Sequence, residues 1–419
     1  MTTFYDALET RSREARQAAL MAALPQQILH AQQASPAFAG ILAGVDAAGV
    51  TSRAALARLP VTRKSELLAL QQQHRAPGGS GNVFGGFSAL AFGAAMPRVF
   101  ASPGTLYEPE GTRRDYWRVA RAMYAAGIRP GELVHNAFSY HFVPAGSMME
   151  SGAHALGCTV FPGGTGQTEQ QVQAIAELRP QAYAGTPSFL KIIVEKAASM
   201  GIPLPSMRRA LVSGEAFPPS LRDWLAERGI HAYQCYATAD LGLIAYETEA
   251  REGLVLDEGV IVEIVRPGTG DPVPEGEVGE LVVTTLNPDY PLIRFGTGDL
   301  SAVLPGQCPT GRTNTRIKGW MGRADQTTKV RGMFVHPGQV AAVAKRFPAV
   351  QKARLVVSGE MANDKMALHV ECGEQTPELQ QAIADAVREV TKLRADVVFC
   401  APGSLANDGK VIEDARSYA

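Results

Sequence analysis

Apolar and polar positions recur along this chain with three different periods. Between residues 5 and 24, Leu8, Ala15, Ala18 and Ala19 stand among charges at helical spacing. Thr112 and Asp115 form a capping-box pattern. The helix it predicts carries Tyr116, Val119, Ala120 and Met123 on one face and stops at Gly127. Short β-like runs follow, "ELVHNAF", "GCTVF", "QAYAG" and "RRALVSG", separated by helical stretches such as 189–200. Strand–helix alternation of this kind predicts a parallel α/β sheet. After about Gly259 the period changes: "VIVEIV" and "GELVVTTL" flank the turn-rich "RPGTGDPVPEGEVG", which predicts antiparallel strands. The tail changes again, to a helix from Pro337, strands "ARLVVSG" and "MALHVEC", a helix across 378–393 and a strand at "ADVVFC". That is a small α+β unit with its own apolar faces. Its boundary is expected near the polar, glycine-flanked stretch Gly322 to Gly332.

Length and composition agree with this division. A chain of 419 residues is too long for one typical core. Hydrophobic residues at 46% and charged residues at 19% give an ordinary globular balance. A net charge of −1 steers the protein toward neither nucleic acid nor an anionic membrane. Cys158, Cys235, Cys308, Cys372 and Cys400 have no zinc-finger or redox spacing and read as free thiols of a reducing compartment. Asp6, Glu9, Arg11 and Arg13 do not make a secretory signal, and the most apolar window, 83–96, is too short to span a bilayer. A cytoplasmic protein is the expectation. The signatures H-E-x-x-H and G-x-S-x-G and the Rossmann fingerprint are missing. Ser188 to Lys191 matches S-x-x-K without that class's companion motifs.

Four segments carry the chemistry: "LVSGEAF" (211–217), "YQCYATADLG" (233–242), "YPLIRFGTGDL" (290–300) and "MGRADQTTKVRG" (321–332), with "NDGK" ending in Lys410. Each alone is a loop; Gly296-Thr297-Gly298-Asp299, for instance, is good turn chemistry. Jointly, and in order with "LPVTRKSELL" (59–68), "GCTVFPGGTGQTEQQ" and "AGTPSFL", they resemble the adenylate-forming enzymes, nearest to the phenylacetate–CoA ligase branch. The resemblance covers nearly the whole chain. It implies an α/β fold: a large adenylate-forming domain over 1–323, with parallel α/β sheets and a β subdomain, and a small mobile α+β lid over 324–419. It also implies an AMP-forming acid–CoA ligase that uses ATP, Mg²⁺ and CoA on a hydrophobic, aromatic-type carboxylic acid. A homodimer suits the branch.

The same resemblance assigns residues. Asp299 would accept hydrogen bonds from the ribose diol, and Tyr236 and Ala237 would lie against adenine, edged by Ser213, Gly214, Glu215 and Ala216. Arg323 would bond ribose or α-phosphate, and Asp325 would be the hinge. Lys410 would offset charge on the α-phosphate and the acid. Asp240 would hold Mg²⁺, with Thr238 beside it. Phe138, Tyr140, His141 and Gly185 would line the acid pocket; Tyr140 and His141 read equally well as strand-end packing.

Two motifs depart from the family. Its phosphate loop, S-S-G-T-T-G-K-P, becomes Ser102-Pro103-Gly104-Thr105-Leu106-Tyr107-Glu108-Pro109. Ser102, Gly104 and Thr105 keep the phosphate-binding elements, but the second glycine is Tyr107 and the lysine is Glu108. Unit charges about 4 Å apart interact by roughly 4 kcal/mol at an effective dielectric of 20. Reversing the sign at Glu108 therefore weakens a triphosphate grip, unless the carboxylates act through Mg²⁺. The acidic motif Y-G-x-T-E becomes Tyr236-Ala237-Thr238-Ala239-Asp240, one methylene shorter at the carboxylate. The branch's C-x-C-G is Cys308-Pro309-Thr310-Gly311, one thiolate short, and no zinc site is expected. These departures keep two alternatives open: a degenerate member that binds nucleotide or acyl-adenylate without turnover, and a ligase with a different acceptor.

Overall fold

Strands Leu133–Asn136, Ala182–Gly185 and Arg209–Val212 are short and almost wholly buried. Strands of a parallel sheet covered on both faces are made that way. The computed structural model describes residues 3–102, 105–324, 326–359, 363–406 and 410–416. Its contacts divide the chain into two units, Met1–Met321 and Gly322–Ala419.

In the first unit, among the described residues, a nine-stranded sheet has a parallel half ordered Thr159–Pro162, Leu133–Asn136, Ala182–Gly185, Arg209–Val212 and His231–Thr238. It continues antiparallel through Gly242–Glu247, Leu254–Leu256, Arg316–Ile317 and Val303–Leu304. Helices Ala145–Leu156, Thr168–Leu178, Pro187–Ser199 and Pro219–Ala226 make the crossovers. A second sheet orders Thr62–Arg63, Phe295–Ser301, Gly279–Thr285 and Val260–Val265. Leu24 and Ile28 of helix Arg13–Ala34 are fully buried in one core with Ile261, Leu281 and Phe295. The second unit pairs Asp396–Cys400, Lys365–Cys372, Val350–Ser358 and Ile412–Asp414. Helices Pro337–Ala344 and Pro377–Thr391 accompany that sheet, and its core holds Val343, Leu368, Ile383 and Val387. The mixed α/β class is as expected.

Several local expectations change. The long N-terminal helix starts at Arg13, where Ser12 Oγ accepts from the Ala15 amide at 3.0 Å; Leu8 sits in a separate 3₁₀ turn. The helix expected from Thr112 begins at Ala120. Asp115, not Thr112, caps it, accepting from the amides of Val119 at 2.8 Å and Ala120 at 3.0 Å. Ser102 ends and Leu106 begins two antiparallel strands, Arg98–Ser102 and Leu106–Glu110, and the Thr105 amide donates to Ser102 O at 3.1 Å. Gly296–Asp299 is not a free turn either. It lies inside strand Phe295–Ser301, whose register against Gly279–Thr285 shifts between Glu280 and Val282. Such a bulge re-aims the residues after it. Each glycine has its own reason. A Cβ on Gly296 would meet Glu280 Oε1 at 2.8 Å, and Gly298 has φ of +73°.

Arg294, one residue before this strand, is 2% exposed. Its guanidinium bonds both Glu263 oxygens at 3.0 and 3.1 Å, the Gly270 carbonyl at 2.7 Å and the Ala57 carbonyl at 2.8 Å, with Leu59 O as a further acceptor. Its own carbonyl accepts from the Thr62 amide at 2.9 Å. The expected outcome of Arg294→Met is a loss of about 3–5 kcal/mol, because buried Glu263 loses its hydrogen-bonded partner and keeps only the weaker influence of Arg53. Adding Glu263→Leu should recover most of that loss in guanidinium unfolding. A double variant no more stable than the single one would show that the carbonyl bonds, not the ion pair, carry the effect.

Candidate active site

The parallel strands all deliver their carboxyl ends to one edge, the place where open α/β sheets bind ligands. Phe138, Tyr140 and His141 follow Leu133–Asn136. Gly185 closes Ala182–Gly185, Ser213 to Ala216 follow Arg209–Val212, and Tyr236, Ala237 and Thr238 close His231–Thr238. Asp240 sits in the turn beyond. The structure thus gathers these expected residues on one rim.

Asp299 reaches that rim from the second sheet. Its carboxylate accepts from the Tyr236 hydroxyl at 2.6 Å and from the Trp320 indole N–H at 3.1 Å. The bulge supports the aim, with the Asp299 amide donating to Thr297 Oγ1 at 3.1 Å and that hydroxyl donating to Leu281 O at 3.1 Å. A carboxylate has about four lone-pair sites and accepts from several donors at once. Tyr236 packs part-buried against the core, with its hydroxyl on Asp299.

The other rim residues are more committed than expected. Ser213 donates its hydroxyl to Cys235 O at 2.8 Å. Glu215 accepts from the Ser188 amide at 2.7 Å, at the start of helix Pro187–Ser199, while Gly214 is exposed at φ of +85° and Ala216 is half-buried. Thr238 Oγ1 accepts from the Leu241 amide at 3.1 Å and keeps its proton to donate.

The hairpin carries the largest change. Ser102 is buried, and its hydroxyl donates to Glu108 Oε1 at 3.0 Å. Glu108 is 2% exposed, inside strand Leu106–Glu110, and lies within hydrogen-bond reach of Asp240. Lys64, the first residue of helix Lys64–Arg75, sets its ammonium 2.9 Å from Asp240 Oδ2 and 3.9 Å from Glu108 Oε1. Burial, and then the Asp240 charge, push the Glu108 carboxyl well above the usual range, against Lys64 and Ser102. Tyr107 is explained by the same hairpin. Gln71 clasps its amide and carbonyl at 2.8 Å each, and Arg75 stacks over its ring at 4.8 Å. Thr105 has φ of +64° and is exposed at the turn; Gly104 lies outside the described residues.

At the acid end, Phe138 is buried, and the Tyr140 hydroxyl donates to Glu150 at 2.8 Å while accepting from Asn136 at 2.7 Å. His141 is exposed, its amide on Ser139 Oγ at 3.1 Å. Gly185 is needed because a Cβ there would meet the Tyr183 hydroxyl at 2.1 Å. His135, which the sequence reading missed, is buried between Phe161 and Tyr183 and donates to Gln171 at 2.6 Å. Burial pulls its pKa down, so it stays neutral. Lys64 and Trp320 were missed as well. Their signals were positional: one opens the helix in "LPVTRKSELL", the other stands just before Gly322.

Arg323 and Lys410 belong to the second unit, where the Lys410 carbonyl accepts from Arg354 at 3.1 Å; Asp325 lies outside the described residues. Cys308 is buried, with Thr310 Oγ1 3.1 Å away. Among the described residues no three His, Cys, Asp or Glu side chains converge for a metal, and no helix is long and apolar enough to cross a membrane. Two buried oxygens, Glu108 Oε2 and Asp240 Oδ1, receive no hydrogen bond from a donor group of the protein. They are hard donors of the kind divalent cations take.

The raised Glu108 pKa predicts a pH dependence. The folded protein holds this proton to higher pH than the unfolded chain. Its stabilisation is complete below the ordinary carboxylate range and is lost as pH rises through the raised value. Glu108→Gln removes that loss. The melting temperature of the variant relative to wild type should rise between about pH 5 and about pH 8, measured without divalent metal. A difference that stays constant with pH would contradict it.

Comparison with known proteins agrees with this geometry. Residues 114–287 match the AMP-binding enzyme family model. The phenylacetate–coenzyme A ligase of Thermus thermophilus is 33% identical over 88% of this chain and 84% of its own. That of Aromatoleum evansii is 30% identical over 94% and 92%. The crystal structure of 2-hydroxyisobutyryl-CoA ligase with its acyl-adenylate and CoA superposes with a TM-score of 0.84 at 25% identity, over 100% of this chain and 93% of that one. The chain belongs to the adenylate-forming enzymes, in the phenylacetate–CoA ligase branch of AMP-forming acid–CoA ligases.

Proposed function

We propose that this ligase activates a hydrophobic, aromatic carboxylic acid at the carboxyl ends of the parallel strands and passes it to CoA. A carboxylate oxygen of the acid attacks the α-phosphorus of ATP, the bond to the β-phosphate breaks, and pyrophosphate leaves. The CoA thiol then gives its proton to solvent and its sulfur attacks the acyl carbon; the bond from that carbon to the phosphate oxygen breaks, and AMP departs with the bonding pair. The observation that carries this reading is Asp299, buried on the rim with its carboxylate on Tyr236 and Trp320, at the position of the family's ribose-binding aspartate.

The remaining roles follow from placement. Tyr236, Ala237 and Ser213 to Ala216 flank the base. Ser102 and Thr105, with Gly104 between them in sequence, are the residues proposed to meet the phosphates, and Thr238 donates to them. Arg323 and Lys410 bring the cations that neutralise charge as the α-phosphorus is attacked. Gly322 to Gly332 with Asp325 forms the hinge on which residues 324–419 turn between half-reactions. Phe138, Tyr140, His141 and Gly185 line the acid pocket, and the aromatic neighbours His135, Phe161 and Tyr183 favour a flat acid, as do the phenylacetate ligases. Mg²⁺, when bound, neutralises triphosphate charge, and Asp240 is the residue proposed to hold it. A homodimer and a cytoplasmic location belong to the same reading.

The test is AMP release with ATP, Mg²⁺, CoA and a panel of aryl and alkyl acids. Arylacetic or aryl acids should lead the panel. A folded protein that releases no AMP with any acid would end the ligase reading. Lys410→Ala should lower acid-dependent pyrophosphate exchange by about 10²–10³-fold, while calorimetric AMP affinity changes by less than about threefold. Equal losses in both would place Lys410 in ground-state nucleotide binding instead.

A further inference from the structure

We propose that Glu108 is the second carboxylate of a divalent-cation site built with Asp240, and that the Lys64 ammonium holds this site until the cation arrives. The inference rests on the ligase reading and deepens it. No family motif assigns position 108 to a cation. There the family's loop has a lysine, whose charge this chain reverses.

A glutamate in a phosphate loop would repel a triphosphate if it faced the turn. It does not. Glu108 lies inside the second hairpin strand and is 2% exposed, its side chain against Asp240 rather than in solvent. Two carboxylates buried side by side repel each other, and a fold tolerates the pair where positive charge compensates it. Lys64 supplies one such charge, 2.9 Å from Asp240 and 3.9 Å from Glu108. One ammonium is too little positive charge for two buried carboxylates that are both ionised. A divalent cation in place of the ammonium cancels both carboxylates.

The oxygens point the same way. Glu108 Oε1 accepts from Ser102, and Asp240 Oδ2 accepts from Lys64. That leaves Glu108 Oε2 and Asp240 Oδ1, both buried and neither receiving a hydrogen bond from a donor group of the protein. Two carboxylate oxygens, completed by phosphate oxygens and water, are the ligand set Mg²⁺ prefers at a nucleotide. Lys64 is suited to leave. Its side chain is 41% exposed at the first turn of a helix, and its stem is flexible. Once displaced, its ammonium is available to phosphate oxygens, which returns to the site the cation that position 108 gave up.

The test is Mn²⁺ binding, followed by electron paramagnetic resonance with α,β-methylene-ATP and without nucleotide. Wild type, Glu108→Gln and Lys64→Met are compared after thermal melts show each is folded. Glu108→Gln should bind Mn²⁺ at least about tenfold more weakly with the analogue present. Lys64→Met should bind Mn²⁺ alone several-fold more tightly, while its affinity for the analogue falls. Unchanged Mn²⁺ affinity in Glu108→Gln would overturn the proposal and leave Glu108 as a latch for the hairpin. Weaker Mn²⁺ binding in Lys64→Met would overturn the part given to Lys64. Glu108-dependent Mn²⁺ binding by a protein that releases no AMP would support this site and count against the ligase reading instead.

Discussion

One buried guanidinium sets the frame on which the site depends. Arg294 ties Glu263, Gly270, Ala57 and Leu59 into one cluster, and its carbonyl receives the Thr62 amide. Strand Thr62–Arg63 thereby enters parallel to Phe295–Gly296, and the next residue is Lys64. On the other side of Arg294 the chain runs directly into the bulge that aims Asp299. A single side chain therefore fixes both the ammonium beside Asp240 and the carboxylate beside Tyr236. Glu280 repeats the device one layer on, taking Arg63 at 2.7 Å and the Gly298 amide at 3.3 Å. Lys64 and Asp299 are far apart in sequence, and these buried bonds convert that separation into a fixed spacing.

The hairpin shows why a loop motif cannot be read as a row of side chains. In register with a glycine-rich loop, Tyr107 and Glu108 look like losses. In the fold they belong to a paired strand, where alternate residues face opposite ways. Tyr107 turns to Arg75 with its backbone clasped by Gln71, and Glu108 turns inward to Asp240. The inward residue meets a low-dielectric interior, so its charge acts on its neighbours far more than on a ligand at the turn. The sign reversal is real, but it acts inside the protein.

The sequence made the architecture legible where patterns are periodic. The apolar runs at 133–136, 182–185 and 209–212, and the antiparallel run expected at 260–265, each correspond to strands of the expected kind. The rim residues were legible because a loop after a parallel strand must lie at the sheet's carboxyl edge. What stayed hidden depends on contacts between distant segments. Nothing local marks Lys64 as the partner of Asp240, 176 positions away, or Trp320 as a donor to Asp299. The helix start moved from Thr112 to Ala120 because a side-chain cap at Asp115 outcompeted a pattern match. Gly296 and Gly298 suggested a turn because a bulge and a turn demand the same backbone freedom.

The distribution of charge bears on why two half-reactions need two units. On the larger unit Asp240 and Asp299 stand at the rim, with Lys64 beside Asp240 and Glu108 buried next to it. Such a surface accepts hydroxyl donors and cations well and a bare triphosphate poorly. The cations proposed for the α-phosphate, Arg323 and Lys410, are both carried by the smaller unit. On the roles proposed above, adenylation draws its positive charge from Arg323 and Lys410, and Asp299 receives the ribose.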